Sequence, residues 1–239
     1  MSSNYNITDI HGHYVFGVDD GAETIAESIE MIKLAYEQGV RNIFCTSHDT
    51  LDICEYNNNL KLLKRELDNT GMDIELYPGC EVMCEEEYLN EIIEKLNNGF
   101  LMPMSKSNYV LMEFSPWTTT EEIRSCVSRI RSGTDYEPII AHIERYMWLY
   151  DEPEIFECIK EMNLKVQINA YSLAEAYSPA SRDFTRKLLK EKLVTFIGSD
   201  AHGTEGRAVE LAGGVKYIYE NCDKQYADDI CYMNAERYI

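Results

Sequence analysis

Residues Tyr5–Gly39 read YNITDIHGHYVFGVDDGAETIAESIEMIKLAYEQG. The segment opens with a short β-rich run, Tyr5–Ile10, and crosses a loop carrying two histidines and two adjacent aspartates. It then enters Thr24–Gln38, where apolar residues recur at the period of a helix. Gly39 stands just past that run, the position where a left-handed residue closes a helix. This is one β/α unit, and the rest of the chain repeats it. Further β-rich runs lie at Arg41–Thr46, Ile74–Pro78, Tyr109–Phe114, Pro138–Ala141, Lys165–Asn169 and Leu193–Ser199. Helical patterns follow them at Asn57–Thr70, Glu85–Asn98, Thr120–Ser132, Glu152–Met162, Pro179–Lys192 and Arg207–Asn221, with a last one at Asp223–Tyr238. Such alternation predicts an α/β protein with a seven-stranded parallel sheet. A doubly wound sheet and a closed barrel both fit the pattern. No internal repeat or low-complexity linker interrupts it, so the reading is a single domain over 1–239.

Composition narrows the function. The formal net charge of −20 argues against nucleic acid, whose binders present basic patches. No stretch approaches the ~18 apolar residues of a membrane helix, so no direct membrane insertion is expected. The opening MSSNYNITDI lacks the basic and apolar regions of a signal peptide, which points to a cytoplasmic protein. The eight cysteines are scattered rather than paired, and reduced, mostly buried thiols are expected. Composition does not address oligomeric state. If the substrate is an anion, the site must be locally positive, and bound metal ions could invert the field where the chain's own charge does not.

All five histidines fall at the C-terminal ends of predicted strands. His11 and His13 follow the first, His48 the second, His142 the fifth and His202 the seventh. Glu81 follows the third strand, Glu113 ends the fourth, and Asp200 lies beside His202. In β/α barrels that rim is where residues from different strands converge to build a site. His11 and His13 are two apart, so on an extended backbone both imidazoles face one side and can grip one ion; Asp200 and His202 are expected to repeat that geometry. Imidazole with carboxylate suits Zn, Mn, Fe or Mg and a hydrolytic site. Val18–Gly21 (VDDG) supplies acidic residues able to reach the same rim. Taken singly, a His-x-His is more often structural, and a glutamate after a strand more often serves the next helix's N-terminus; Glu85–Glu87, Glu121 and Glu122 read that way. The collective pattern carries the inference.

Two arginines fit an anionic substrate. Arg145 lies three residues past His142 and Arg207 five past His202, and either could grip phosphate oxygens bidentately; the alternative is a surface or carboxylate-paired arginine. Cys231–Arg237 (CYMNAER) has the Cys-x5-Arg spacing of thiol phosphatases, but it lacks the glycines of a phosphate loop and sits in a helical pattern. Cys80 and Cys84 have zinc-like spacing without a second pair.

The segments DIHGHYVFGVDDG, TSHD, YPGCEV, YVLMEFSP, PIIAHIERY, QINAYSL and FIGSDAHGTEGR span residues 9–207. In that order they resemble the PHP (polymerase and histidinol phosphatase) superfamily, and within it the bacterial manganese-dependent tyrosine-protein phosphatases of capsule and exopolysaccharide synthesis. The resemblance implies a distorted seven-stranded β/α barrel, TIM-like, with three divalent ions at its C-terminal rim, Mn first, with Fe, Zn or Mg as alternatives. Its implied ligands are His11, His13, Asp20, His48, Glu81, Glu113, His142, Asp200 and His202, with Arg145 and Arg207 as phosphate-binding arginines. The implied substrate is phosphotyrosine on a cognate bacterial tyrosine kinase. The family commonly has proline at the positions of Ser47 and Ile143 and a second histidine at that of Asp49; these residues flank ligands, while Asp49 and Tyr171 bear on the shape of the pocket.

The expected chemistry is direct attack by a metal-activated hydroxide, with the arginines steadying charge on the phosphoryl oxygens and a histidine or Asp200 available to protonate the leaving group. Two rival readings use the same residues: a histidinol phosphatase or other small-molecule phosphoesterase, and a metal-stabilised protein that binds phosphotyrosine without hydrolysis.

Overall fold

The protein's seven strands stand side by side in chain order, each parallel to the next. They are β1 (Ile7–Gly12), β2 (Val40–His48), β3 (Glu75–Met83), β4 (Tyr109–Glu113), β5 (Glu137–Ile140), β6 (Lys165–Asn169) and β7 (Phe196–Gly198). The computed structural model describes residues 6–49, 52–174 and 178–239; Tyr5, the expected start of β1, lies outside them. The sheet then closes on itself. Gly12 bridges to Ala201, the His13 amide donates to the Ala201 carbonyl at 2.8 Å, and the Asp200 amide donates to the His11 carbonyl at 2.7 Å. Closure selects the barrel over the doubly wound sheet.

The pleat explains what each strand carries inward. Successive side chains point to opposite faces, so alternate residues line the lumen. On β2 the inward series is Asn42, Phe44, Thr46 and His48; on β3 it is Tyr77, Gly79 and Glu81; on β4 it is Tyr109, Leu111 and Glu113. Their neighbours Ile43, Cys45, Leu76, Cys80, Val82, Val110 and Met112 belong instead to the large outer core between strands and helices. A smaller cluster of Ile10, Phe44, Leu111, Ile139, Ala141 and Phe196 fills the lumen. Apolar side chains therefore fill the middle of the lumen, with Thr8 and Asn42 at its floor and the histidines and carboxylates at its C-terminal end.

The helices sheathe the barrel. They are α1 (Ile25–Glu37), α2 (Ile53–Asp68), α3 (Leu89–Asn97), α4 (Thr120–Gly133), α5 (Glu154–Glu161), α6 (Pro179–Lys190) and α7 (Ala212–Asn221). Their starts follow local chemistry. Thr24 caps α1 by accepting from the Glu27 amide, Asp52 caps α2, and Thr119 with Glu122 forms a reciprocal capping box on α4. Gly39 has φ +100°, closing α1 as its position predicts.

Two helical expectations need correction. The last helix is not uniform: α8 (Lys224–Asp228) runs through a π-helical turn (Asp229–Met233) into α9 (Asn234–Tyr238). The penultimate one starts at Ala212, not Arg207. Residues 207–211 form a loop whose Arg207 carbonyl accepts from the His202 amide, which draws the segment to the barrel mouth instead of into a helix. All eight cysteines are free and six are buried, as expected. Cys231 is among the buried ones, inside the π-helical turn, with its thiol pushed up by burial, so the thiol-phosphatase spacing is incidental.

Candidate metal centre

Every histidine of the chain meets at the C-terminal mouth. His11 is the last residue but one of β1 and His13 directly follows the strand, both fully buried. His48 ends β2 and stays partly open, and His142 follows β5. Glu81 lies at the centre. One of its oxygens is 3.3 Å from His11 Nε2, 3.4 Å from His13 Nε2 and 3.3 Å from His48 Nδ1, and the other is 2.9 Å from His142 Nε2. Glu113 is 3.5 Å from His142 Nε2. On the open side, Asp20 stands 3.4 Å from the Nε2 atoms of both His48 and His202.

The nine residues named as ligands from the sequence all fall into compact donor groups: His13 with Asp20, His48 and His202; His11 with His142 and Asp200; His11 with His13 and Glu81; His48 with Glu81 and Glu113. Asp200 and His202 do not repeat the extended arrangement of His11 and His13. Asp200 has φ +53°, so it turns toward His11 and His142 while His202 turns toward His13 and Asp20. His142 is also forced, with φ +23°, a strain of the kind that gathers at functional sites.

The buried surroundings fix the imidazole tautomers. Asp19 Oδ2 lies 2.6 Å from His13 Nδ1, Gln167 Oε1 lies 3.2 Å from His11 Nδ1, and the Asp200 carbonyl lies 3.0 Å from His202 Nδ1. Each of these oxygens accepts, so each Nδ1 carries a proton and Nε2 is the nitrogen left to face an ion. Those three Nε2 atoms are buried and have no hydrogen-bond partner. Unpaired nitrogens at ~3.3–3.6 Å from carboxylate oxygens suit a shared cation: two donors ~2.1 Å from one ion stand about 3.0–3.4 Å apart.

Electrostatics point the same way. Burial alone would push the His13 imidazole down, yet Asp19 and Glu81 outweigh it and hold it up to about 10. Burial would raise Asp19, but His13 and the Gly21 and His48 amides bring it to about 2. Burial would likewise raise Glu81 and Asp200, yet His11 and other imidazoles, with Arg207 for Asp200, hold both low. His202 is pulled to about 4 by burial, His13 and Arg207. The carboxylates thus hold protons on part of the cluster and ask for positive charge, which divalent ions supply without protons.

Both arginines reach the centre and clasp one carboxylate. Arg145 Nη1 is 2.9 Å from one Asp200 oxygen and Arg207 Nη2 is 2.8 Å from the other. Both guanidiniums also remain partly exposed at the mouth.

Residues not named as ligands from the sequence support this shell. Asp19, not only Asp20, enters from VDDG. Gln167 accepts from the His142 amide at 2.6 Å as well as facing His11, and it donates to Asn169, whose Nδ2 donates to Asp200 and Tyr171. Asp9, fully buried, accepts from the Ser199 amide and hydroxyl and from Tyr14, tying β1 to β7 beneath the site. The readable signal was a polar residue inside an apolar strand, Asp9 in ITDIHG and Gln167 in KVQIN.

A family model for capsular polysaccharide synthesis proteins of the CpsB/CapC type matches residues 7–239. The tyrosine-protein phosphatase CpsB of Streptococcus agalactiae is 30% identical over 238 residues, covering 95% of this chain and 96% of that protein. The tyrosine-protein phosphatase YwqE of Bacillus subtilis is 28% identical over 235 residues, covering 95% and 88%. A solved structure from work on YwqE of Bacillus subtilis and CpsB of Streptococcus pneumoniae, metal-dependent tyrosine phosphatases, superposes with a TM-score of 0.84. It is 25% identical and covers 97% of this chain and 94% of that one. The barrel and the family resemblance read from the motifs are both borne out, and the chain belongs to the CpsB/CapC family of capsular polysaccharide synthesis proteins.

Proposed function

We propose that this chain is a metal-dependent protein-tyrosine phosphatase acting in the cytoplasm as a single domain over residues 1–239. Its substrate is a phosphotyrosine-bearing protein, a cognate bacterial tyrosine kinase that regulates capsular or exopolysaccharide synthesis. The observation that carries the reading is the set of buried, unpaired imidazole nitrogens facing carboxylates at cation spacing, flanked by two arginines. Among the described residues no helix is long and apolar enough to cross a membrane, which agrees with that location.

His11, His13, Asp20, His48, Glu81, Glu113, His142, Asp200 and His202 would hold three divalent ions, with manganese the first candidate and iron, zinc or magnesium the others. When bound, such ions neutralise the phosphate dianion and lower the pKa of water. The protein's own residues do the rest. Asp19 and Gln167 keep the Nδ1 protons of His13 and His11 in place, so Nε2 faces inward. Arg145 and Arg207, now shared with Asp200, would turn part of their donors to the phosphoryl oxygens and steady charge gathering there. Asp200 enters as a carboxylate, because His11, His142 and Arg207 outweigh the effect of burial. Tyrosinate, with a parent pKa of about 10, leaves with little help from an acid.

The test strips the protein with chelator and follows phosphate release from a phosphotyrosine peptide and from histidinol phosphate, with and without added manganese. Restored release from the peptide alone is the expected result. Preference for histidinol phosphate would move the function to small-molecule chemistry, and binding of the peptide with no release under any metal would make the protein a binder.

A further inference from the structure

Only two tryptophans occur in the chain, and both are exposed on the barrel mouth. Trp117 follows β4 and Trp148 follows β5; they are 53% and 52% exposed, and their rings lie 6.2 Å apart at 56°. A cleft of about 360 Å³ opens between them, floored by Phe114, Cys84 and Cys126 and edged by Glu85, Glu86 and Glu122. Its loops are pinned together, for the Met147 amide donates to the Pro116 carbonyl at 2.9 Å. Large aromatics left half in water on a rigid frame are the residues that most often anchor a partner.

The cleft adjoins the metal centre along the chain, built from residues just past the ends of β3 and β4. Phe114 directly follows Glu113, and the Cys84 amide donates to the Glu113 carbonyl at 2.7 Å. The Phe114 ring meets Tyr146 edge-on at 5.9 Å, and Tyr146 meets His142 in the same way at 5.9 Å. Trp148, on the rim of the cleft, stands three residues beyond Arg145, so cleft and centre flank one short loop.

Charge selects the occupant. Glu122 is committed to capping α4 and Glu86 accepts from Ser125, whereas Glu85 caps nothing. Arg129, an electrostatic neighbour of Cys84 and Cys126, donates to Asn90. Indole faces and carboxylates together favour a cation, and guanidinium above all.

We propose that this cleft is a second subsite for the phosphotyrosine-bearing polypeptide and takes an arginine or lysine side chain near the phosphotyrosine. This rests on the phosphotyrosine reading above. The subsite also answers a difficulty posed by the charge of −20: a peptide carrying a phosphate dianion gains a point of attraction on an acidic surface.

The test uses the full-length, metal-loaded protein and phosphotyrosine peptides in which one arginine is scanned through the three positions on either side. An extended peptide advances ~3.3 Å per residue, so the scan reaches ~10 Å each way. At one or two positions arginine should raise kcat/KM about tenfold over alanine, and less at high salt. Non-hydrolysable phosphonate versions of the same peptides should shift the tryptophan emission, which comes only from this cleft. In Trp148→Ala and in Glu85→Gln the arginine-to-alanine ratio should fall toward one. Hydrolysis without arginine preference at any position would overturn the subsite while leaving the phosphatase reading intact. So would a preference that survives both substitutions. Failure to hydrolyse any phosphotyrosine peptide, with other phosphomonoesters turned over, would overturn the phosphatase reading and the subsite with it.

Discussion

The two ends of the barrel lumen are built from the same strands and could hardly differ more. At the floor, Phe44 stacks on Tyr77 at 5.0 Å, Phe196 and Tyr109 meet Tyr238 edge-on, and Lys165 lies 4.5 Å over the Tyr238 ring. At the mouth, four residues further along those strands, buried nitrogens lack partners and carboxylates crowd together. The floor gives up apolar surface to neighbours and gains stability. The mouth buries charge that is stable only when compensated. Stability and chemistry are thus stacked along one axis, and perturbing each end should give different readouts.

Removing metal breaks the comparison most. Chelation should abolish phosphate release and leave the mouth uncompensated. A ligand at ~1,000 times its Kd stabilises by about 4 kcal/mol, which for a chain of this size is roughly 8–16 °C in Tm. Calorimetry with and without manganese measures it. Next, Phe196→Ala at the floor should cost about 3–5 kcal/mol in denaturant midpoint analysis, with turnover nearly normal where the protein remains folded. At the mouth, Gln167→Leu should do the reverse, lowering manganese affinity or kcat/KM about 10–100-fold, because His11 and the His142 loop lose the acceptor that orients them.

The smallest effect is in pH. His13 in the metal-free protein is held up to about 10 from 6.5, so its contribution to stability is complete below 6.5 and is lost as pH rises through about 10. Metal-free protein should therefore lose Tm between pH 7 and pH 10, whereas metal-loaded protein, whose imidazole is already deprotonated, should not lose it through His13. Manganese binding at pH 8 should release about one proton from this residue, measurable by titration calorimetry in buffers of different ionisation enthalpy.

This contrast also explains what the sequence disclosed. Strands alternating with helices left β1 to β7 legible because each carries a period-2 or fully buried pattern, and Lys165–Asn169 coincides with β6. The π-helical turn at Asp229–Met233 was not legible, since one extra residue in a turn leaves the apolar pattern of a helix in place. The helical pattern of Arg207–Asn221 reads from Arg207, but a tertiary contact holds its first residues in a loop until Ala212. The candidate ligands were legible as a group because histidine is rare here and gathers at strand ends. The residues that orient them were less so: Asp19 looks like its neighbour Asp20, and Gln167 announces itself only as a polar residue in a buried strand. The left-handed backbone at His142 and Asp200 comes with long-range partners, Gln167 for the His142 amide and the His11 carbonyl for the Asp200 amide, which no local pattern encodes.

Closure has a kinetic side. Neighbouring strands are successive in the chain, so six of the pairings form from nearby segments, whereas the Gly12–Ala201 seam must join segments almost the length of the barrel apart. Contacts of that kind form late and carry the largest loop-closure entropy. His11 and His13 stand on one lip of the seam, and Asp200 and His202 on the other. Ions held between them would act as a latch fastened after folding is otherwise complete, lengthening the lifetime of the closed barrel by slowing its opening, with little influence on how fast it first assembles.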